Sequence, residues 1–264
     1  MKKNIPLLDK EKEQHFLEDK ETIELEVNEA RINNKDNIIE IGAGDGRLTK
    51  HLIKNANKVL SFEIDNRFKE NLDELVKEDK DKKLIMQYSN ALDCSWKGYN
   101  KIVSNIPYSI SGAILEKAIK EDIQEMILIV GENFKENLET REKIGIIARL
   151  FFDIKFIKKI DKKLFTPSPR VNSWLIHFTK KAIENEKLED KILKDVLLSK
   201  RNVKNAIIYS FIKNGLTKNN ARDFIEKSKF DKNSIEKNTA NITGKMILRI
   251  EENLSKTPLQ GIEP

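Results

Sequence analysis

Short apolar runs alternate with helix-like stretches along the first 130 residues, and this alternation constrains the fold more than any other feature of the chain. The runs are Asn37–Ile41 (NIIEI), Lys58–Glu63 (KVLSFE), Leu84–Tyr88 (LIMQY), Lys101–Ser104 (KIVS) and Met126–Val130 (MILIV). Between them, Leu48–Asn55, Arg67–Lys77 and Gly112–Lys120 place apolar residues three or four apart. Strand alternating with helix predicts an α/β fold, a doubly wound and mostly parallel sheet. Two longer β-like runs follow, Leu150–Lys158 and Val171–Thr179, with Pro167 and Pro169 between them. Parallel neighbours need a crossover, so these two predict an antiparallel hairpin at the sheet edge. After residue 180 glycine becomes scarce and charge dense. Asp190–Ser199, Val203–Asn214, Lys218–Lys229 and Ile242–Leu254 read as helices. The expected division is therefore an α/β domain over 1–180 and a small all-helical domain over 181–264.

Charge follows the same division. Lys and Arg outnumber Asp and Glu by 49 to 43, a net of +6, and residues 181–264 hold 17 basic against 12 acidic side chains. A second basic run, Lys155, Lys158, Lys159, Lys162 and Lys163, lies just before that tail. Such asymmetry suits a polyanionic partner, and it equally suits a solvated helix face. The single cysteine, Cys94, excludes a disulfide within the chain. Three histidines without ligand spacing predict no metal site. No apolar run approaches the roughly 20 residues of a membrane span. The N-terminal MKKNIPLLDKEKEQHF lacks a signal-peptide core, so a cytoplasmic protein is expected.

The first strand runs into Glu40-Ile41-Gly42-Ala43-Gly44-Asp45-Gly46-Arg47. Glycines there permit a tight strand-to-helix turn and close backbone approach to a ligand, as Gly42 and Gly44 would provide. The second strand ends at Glu63, whose carboxylate can accept both ribose hydroxyls of an adenosine-containing cofactor. A dinucleotide fingerprint would need Gly or Ala where Arg47 stands. The G-x-G-x-G pattern after an acidic residue resembles motif I of class I methyltransferases instead.

The fourth strand ends at Asn105-Ile106-Pro107-Tyr108. In an open α/β sheet this is where ligands bind. The Asn105 amide oxygen and the Ile106 carbonyl can each accept one N–H of an amino group on an aromatic ring. Pro107 stiffens the turn and brings no competing N–H. Tyr108 offers a face for base stacking, worth roughly 1–3 kcal/mol. Methyl transfer to such a nitrogen needs positioning more than a strong base.

With these motifs the chain resembles the rRNA adenine N6,N6-dimethyltransferases over nearly its whole length. Gln14-His15-Phe16-Leu17 is similar to the family's N-terminal cofactor-binding segment, with Glu13 where the family usually has glycine. Glu40–Gly46 resembles motif I, Phe62-Glu63-Ile64-Asp65 the acidic motif, and Asn105–Ser111 the catalytic motif. Phe165–Ser173 (FTPSPRVNS) is similar to the F-x-P-x-P-x-V-x-S signature. The resemblance implies a Rossmann-like class I methyltransferase fold and the cofactor S-adenosyl-L-methionine. It implies that His15, Leu17, Gly42, Gly44, Glu63, Ile64, Asn90, Ala91 and Asn105 line the cofactor site. Asn105, Ile106, Pro107 and Tyr108 would form the catalytic motif.

Two positions depart from the family. Ser89-Asn90-Ala91-Leu92 replaces the usual Gly-Asp-Ala-Leu, so an amide stands where the family aspartate accepts from the cofactor's adenine amino group. Gly131-Glu132-Asn133-Phe134 replaces the usual Gln-Lys-Glu-Phe/Val. Ile106 and Val171-Asn172-Ser173 lean toward the erythromycin-resistance branch, which acts on large-subunit rRNA. Gln14–Leu17, the length and the basic helical tail favour an archaeal-type small-subunit enzyme, acting on two adjacent adenosines near the 3′ end. The expected partner is then rRNA or the immature small ribosomal subunit. Phosphate contacts are expected from Lys200, Arg201 and Lys204, and the family expectation is a monomer. The other readings are a catalytically weak ribosome-assembly or RNA-binding factor and, disfavoured by Arg47, a nicotinamide-dependent oxidoreductase.

Overall fold

The computed structural model describes residues 14–182 and 186–257. Residues 1–13 of the N-terminal segment read for a signal peptide, Glu13 included, lie outside them.

Nine strands and eleven helices follow one another in these residues. A two-residue strand, β1 (Phe16–Leu17), leads into α1 (Lys20–Glu29), whose first turn is capped by the Asp19 carboxylate accepting from the Thr22 amide. Then come β2 (Asn37–Ile41), α2 (Thr49–Asn55), β3 (Lys58–Phe62), α3 (Lys69–Glu78) and β4 (Leu84–Gln87). Next are β5 (Lys101–Asn105), α4 (Ser111–Lys120), β6 (Glu125–Gly131), α5 (Glu132–Glu139) and α6 (Lys143–Phe151). The α/β part ends with β7 (Phe152–Ile160), the short β8 (Phe165–Thr166), which pairs antiparallel with β1, and β9 (Ser173–Lys180). The tail holds α7 (Leu188–Leu198), α8 (Val203–Lys213), α9 (Lys218–Lys227), α10 (Lys232–Glu236) and α11 (Gly244–Lys256).

Seven strands form one sheet in the order β4-β3-β2-β5-β6-β9-β7. The first five are parallel, with Ile38 opposite Val59 on one side and Lys101 on the other. In the inner strands the side chains are mostly apolar on both faces because helices cover both. Ile38, Ile39, Val59, Ile102, Val103 and Ile127 are all fully buried. β9 runs antiparallel to β6 along seven residue pairs, from Glu125↔Thr179 to Gly131↔Ser173, and β7 forms the outer edge. The α/β class, the sheet and the C-terminal helices agree with the sequence reading. The chain moves outward from β2 through β3 to β4, then returns to the far side of β2 with β5. Strand order reverses there, so the crevice beyond the β2 and β5 carboxyl ends is the natural ligand position.

Two compact units divide the chain: residues 1–136 with 153–180, and residues 137–152 with 181–264. The second has its own core, in which Ile192, Val196, Ile207, Phe211, Phe224 and Ile250 are buried. Ile146 of α6 joins that core, which is why residues 137–152 go with the tail helices. Side-chain caps from Asn202, Thr217, Asp231 and Thr243 start α8 to α11.

Candidate active site

A cavity of about 620 Å³ opens at the switch point. That volume falls within the range of small-molecule sites. Its walls come from the strand ends of β2, β3 and β5, the strap Gln14–Leu17, the loop Ser89–Leu92 and one face of α1. His15, Leu17, Gly42, Gly44, Glu63, Ile64, Asn90, Ala91 and Asn105–Tyr108 all line it. Lys200, Arg201 and Lys204 are exposed on the helical unit.

The turn after β2 takes positive φ at Gly42 (81°), Gly44 (56°) and Gly46 (76°). A Cβ on Gly42 would meet nothing within 4 Å, so the backbone there faces open space. A Cβ on Gly44 would collide with the Phe16 ring, which lies across the turn and shares an apolar cluster with Phe68. The strap is fastened by its neighbours. Arg47 donates to the Leu17 carbonyl at 2.5 Å, and Gln14 donates to Asp65 at 2.7 Å. The His15 Nδ1 lies 2.7 Å from the Pro167 carbonyl oxygen.

Below the turn, Glu40 is buried. Its Oε2 accepts from Thr49 Oγ1 (2.7 Å) and Ser61 Oγ (2.6 Å), and burial pushes its pKa up to about 7 against those two bonds. Glu63 is held by two backbone amides, Gly44 on Oε2 and Asp65 on Oε1, each at 2.8 Å. Burial still raises its pKa. Each carboxylate oxygen keeps a second lone pair, which suits a vicinal diol. Next to Glu63, Ile64 is 69% exposed, an apolar side chain at the rim that a ligand ring would cover.

The opposite wall is the loop after β4. Asn90 Oδ1 accepts from the Leu92 amide at 3.1 Å, and its Nδ2 donates to Asp93 at 3.0 Å. Asp93 itself is exposed and does not line the cavity. Trp96, fully buried, donates to the Ala91 carbonyl at 3.1 Å. Lys117 donates to the Leu92 carbonyl at 3.1 Å and lies over the Trp96 ring. This wall is thus held on its outer side.

At the end of β5, Asn105 Nδ2 donates to the His15 carbonyl at 3.3 Å. That bond orients the amide, leaving Oδ1 as the acceptor. The Ile106 amide is used by the Ile129 carbonyl of β6 at 3.2 Å. The Tyr108 hydroxyl lies 2.5 Å from Ser173 Oγ, and its ring stacks near His15 with centroids 6.1 Å apart. A Cβ on Gly131 would lie 2.8 Å from Tyr108 Cδ2, so the departure from the family at 131 makes room for this ring. Glu132 pairs with Lys159 at 2.5 Å, and Asn172 Nδ2 donates to it at 3.4 Å.

Glu26 and Phe68 also line the cavity, and neither carries a sequence motif that would mark it. Glu26 sits on a helix that the period-2 run Ile23-Glu24-Leu25-Glu26-Val27 disguises. Among the described residues, no group of three or more His, Cys, Asp and Glu could hold a metal, and no helix is long and apolar enough to cross a membrane.

Known proteins share this architecture. The chain is 32% identical over 225 residues to a probable ribosomal RNA small subunit methyltransferase A of Methanococcus maripaludis (strain C7), covering 81% of this chain and 86% of that one. A dimethyladenosine transferase from Plasmodium falciparum superposes with a TM-score of 0.63 at 21% identity, covering 92% of this chain and 98% of that one. The 23S rRNA methyltransferase ErmE gives 0.62 at 20% identity, covering 91% and 99%. These two likenesses establish the fold. The family model of the ribosomal RNA adenine dimethylases matches residues 8–248, and with that match and the archaeal relative the chain belongs to the ribosomal RNA adenine dimethylase family.

Proposed function

We propose that this chain uses S-adenosyl-L-methionine to dimethylate the exocyclic nitrogen of two adjacent adenosines near the 3′ end of small-subunit rRNA. The observation that carries the reading is the pinned Asn105–Tyr108 segment at the floor of a cavity that fits the donor. The small-subunit substrate is favoured by the name of the archaeal relative. The donor fits on three counts. Glu63 offers paired acceptors for a ribose diol, Asn90 and Ile64 flank space for an adenine ring, and Gly42 leaves its backbone open. When bound, the donor supplies an electrophilic methyl group on a sulfonium.

The protein's part is positioning. The Asn105 Oδ1 accepts one N–H of the target amino group, and the Ile106 carbonyl accepts the other. Both bonds draw the nitrogen out of conjugation, so its lone pair points away from the base plane. Tyr108 holds the base by stacking, with its ring fixed by Ser173 and by the space above Gly131. Orientation of this kind can replace a strong base: as the N–C bond forms and the S–C bond breaks, the nitrogen becomes cationic and acidic, and it then loses its proton to water. The helical unit contributes phosphate contacts through Lys200, Arg201 and Lys204, which give affinity and register.

The test is methyl transfer from labelled S-adenosyl-L-methionine to unmethylated small subunits, followed by mass spectrometry of the digested RNA. Dimethyladenosine at adjacent 3′-end sites, lost in Asn105→Ala, is the expected result. RNA binding without transfer would replace the reading with that of an assembly factor.

A further inference from the structure

Glu26 is out of place for a residue that only supports the fold. It projects from α1 into the wall of the cavity and is 1% exposed. Its Oε1 is fully buried and has no hydrogen-bond partner. The nearby cations are committed elsewhere. Lys158 donates to Thr22 Oγ1 at 3.0 Å, and Arg47 is divided between Asp45 and the Leu17 carbonyl. Burial first, and then the Glu40 carboxylate, pushes the Glu26 carboxyl well above the usual range. Glu26 and Glu40 thus both line the cavity, and the Glu26 Oε1 lacks a partner from the protein. A buried polar atom without a partner that lines a cavity is one a ligand can complete.

The rest of the cavity says which ligand group that is. Glu63 and Asn90 would hold the nucleoside end of the donor, and Asn105 would hold the target nitrogen that meets its methyl group. The amino-acid end would then lie between Gly42 and the α1 face of Ile23 and Glu26, and of its two charged groups the α-ammonium is the cation and the donor.

We propose that Glu26 is a specificity-determining residue of the donor site, receiving the α-ammonium group of the amino-acid end of the methyl donor. The inference rests on the donor assigned above. Glu40 already has two hydroxyls on one oxygen, so Glu26 makes the direct bond. Recognition of the ammonium is therefore built into a helix rather than into the glycine turn alone.

The experiment is calorimetric titration of the full chain with S-adenosylhomocysteine and with its deamino analogue. The wild type is expected to favour the amino form by about tenfold or more. Glu26→Gln is expected to reduce that ratio to below about threefold, while its affinity for the deamino analogue stays within about twofold of wild type. A second variant, Glu26→Leu, removes the buried carboxyl. It is expected to melt at a higher temperature than wild type and to show the same loss of discrimination. An unchanged ratio in either folded variant overturns the role of Glu26 and leaves the donor assignment standing. A wild type that binds neither compound overturns the donor assignment, and the inference with it.

Discussion

Asn90 holds its amide between two neighbours: the Leu92 amide on Oδ1 and the exposed Asp93 carboxylate on Nδ2. One lone pair of Oδ1 remains for an adenine amino group, in a neutral rather than a charge-assisted bond. Restoring aspartate in Asn90→Asp is expected to tighten donor binding about three- to fivefold, since charge-assisted bonds are the stronger kind. The gain is limited by Asp93, which would then face a second carboxylate. Asn90→Asp with Asp93→Asn is expected to bind more tightly than either single variant in the same titration. Gly131 supports the opposite prediction. A Cβ 2.8 Å from the Tyr108 ring must displace it, so Gly131→Ala is expected to lower the methyl-transfer rate about tenfold while donor affinity stays unchanged. Single-turnover kinetics separates the two effects. Much of the site could be read as residues because glycine turns, strand-end acids and the Asn-Ile-Pro-Tyr segment each announce their chemistry locally. Glu26, Phe68 and Trp96 could not. Their roles depend on which helix or loop the fold brings against the cavity, and nothing adjacent in sequence marks them.

Elements were legible where their period was unmixed. The five parallel strands are mostly apolar runs, and all fall within a residue or two of their expected bounds. α1 was not expected, because Ile23, Leu25 and Val27 alternate with glutamates in a strand-like period. Its helix is fixed by the Asp19 cap and by the buried face of Thr22, Ile23 and Glu26. Asp19→Ala is expected to cost about 1 kcal/mol, seen as a lower urea midpoint with an unchanged slope. α6 was also hidden. Its apolar residues run on into β7, so the expected strand began at Leu150, two residues inside what proves to be helix. In the helical unit, Lys200 and Arg201 precede α8 and Lys204 lies in its first turn, which holds no acidic residue. Cations at a helix N-terminus oppose the macrodipole, and their other contacts are exposed: Arg201 lies over the Tyr209 ring and Lys204 is 3.9 Å from Glu236. Replacing all three by alanine is expected to leave the melting temperature within about a degree or two. Across RNA substrates, affinity should fall uniformly. The slope of log K against log salt should become shallower by about 2, at roughly 0.7 per lost phosphate contact. An unchanged slope would remove these residues from the RNA contact surface.

At the scale of the whole molecule, the cavity collects carboxyl groups that folding alone would not bury. Glu26, Glu40 and Glu63 all have raised pKa values with burial as the leading cause, and all line the same space. The donor-free protein is therefore predicted to lose stability as pH rises. Below pH 4.5, the ordinary value for glutamate, Glu40 is protonated in both the folded and unfolded chains, and its contribution is complete. Between 4.5 and about 7 the unfolded chain ionises while the folded chain keeps its proton, so stability falls with pH. Above that the loss levels off at roughly 3 kcal/mol for this one group. Other groups do not mask it. Asp36, whose pKa is lowered, acts below its ordinary 3.8, outside this window. His51, lowered chiefly by burial, contributes in the opposite sense as pH falls through 6.5, but it is common to wild type and variant. The unfolding free energy of Glu40→Gln minus that of wild type is thus expected to rise by a few kcal/mol between pH 5 and pH 8 in urea titrations. A flat difference would mean that Glu40 is already ionised in the folded chain at pH 5. Saturating S-adenosylhomocysteine should reduce the same slope, because an ammonium beside Glu26 and Glu40 favours their charged forms, and binding to the folded chain alone adds stability. The pH dependence of stability and the occupancy of the donor site are then one linked property of the cavity.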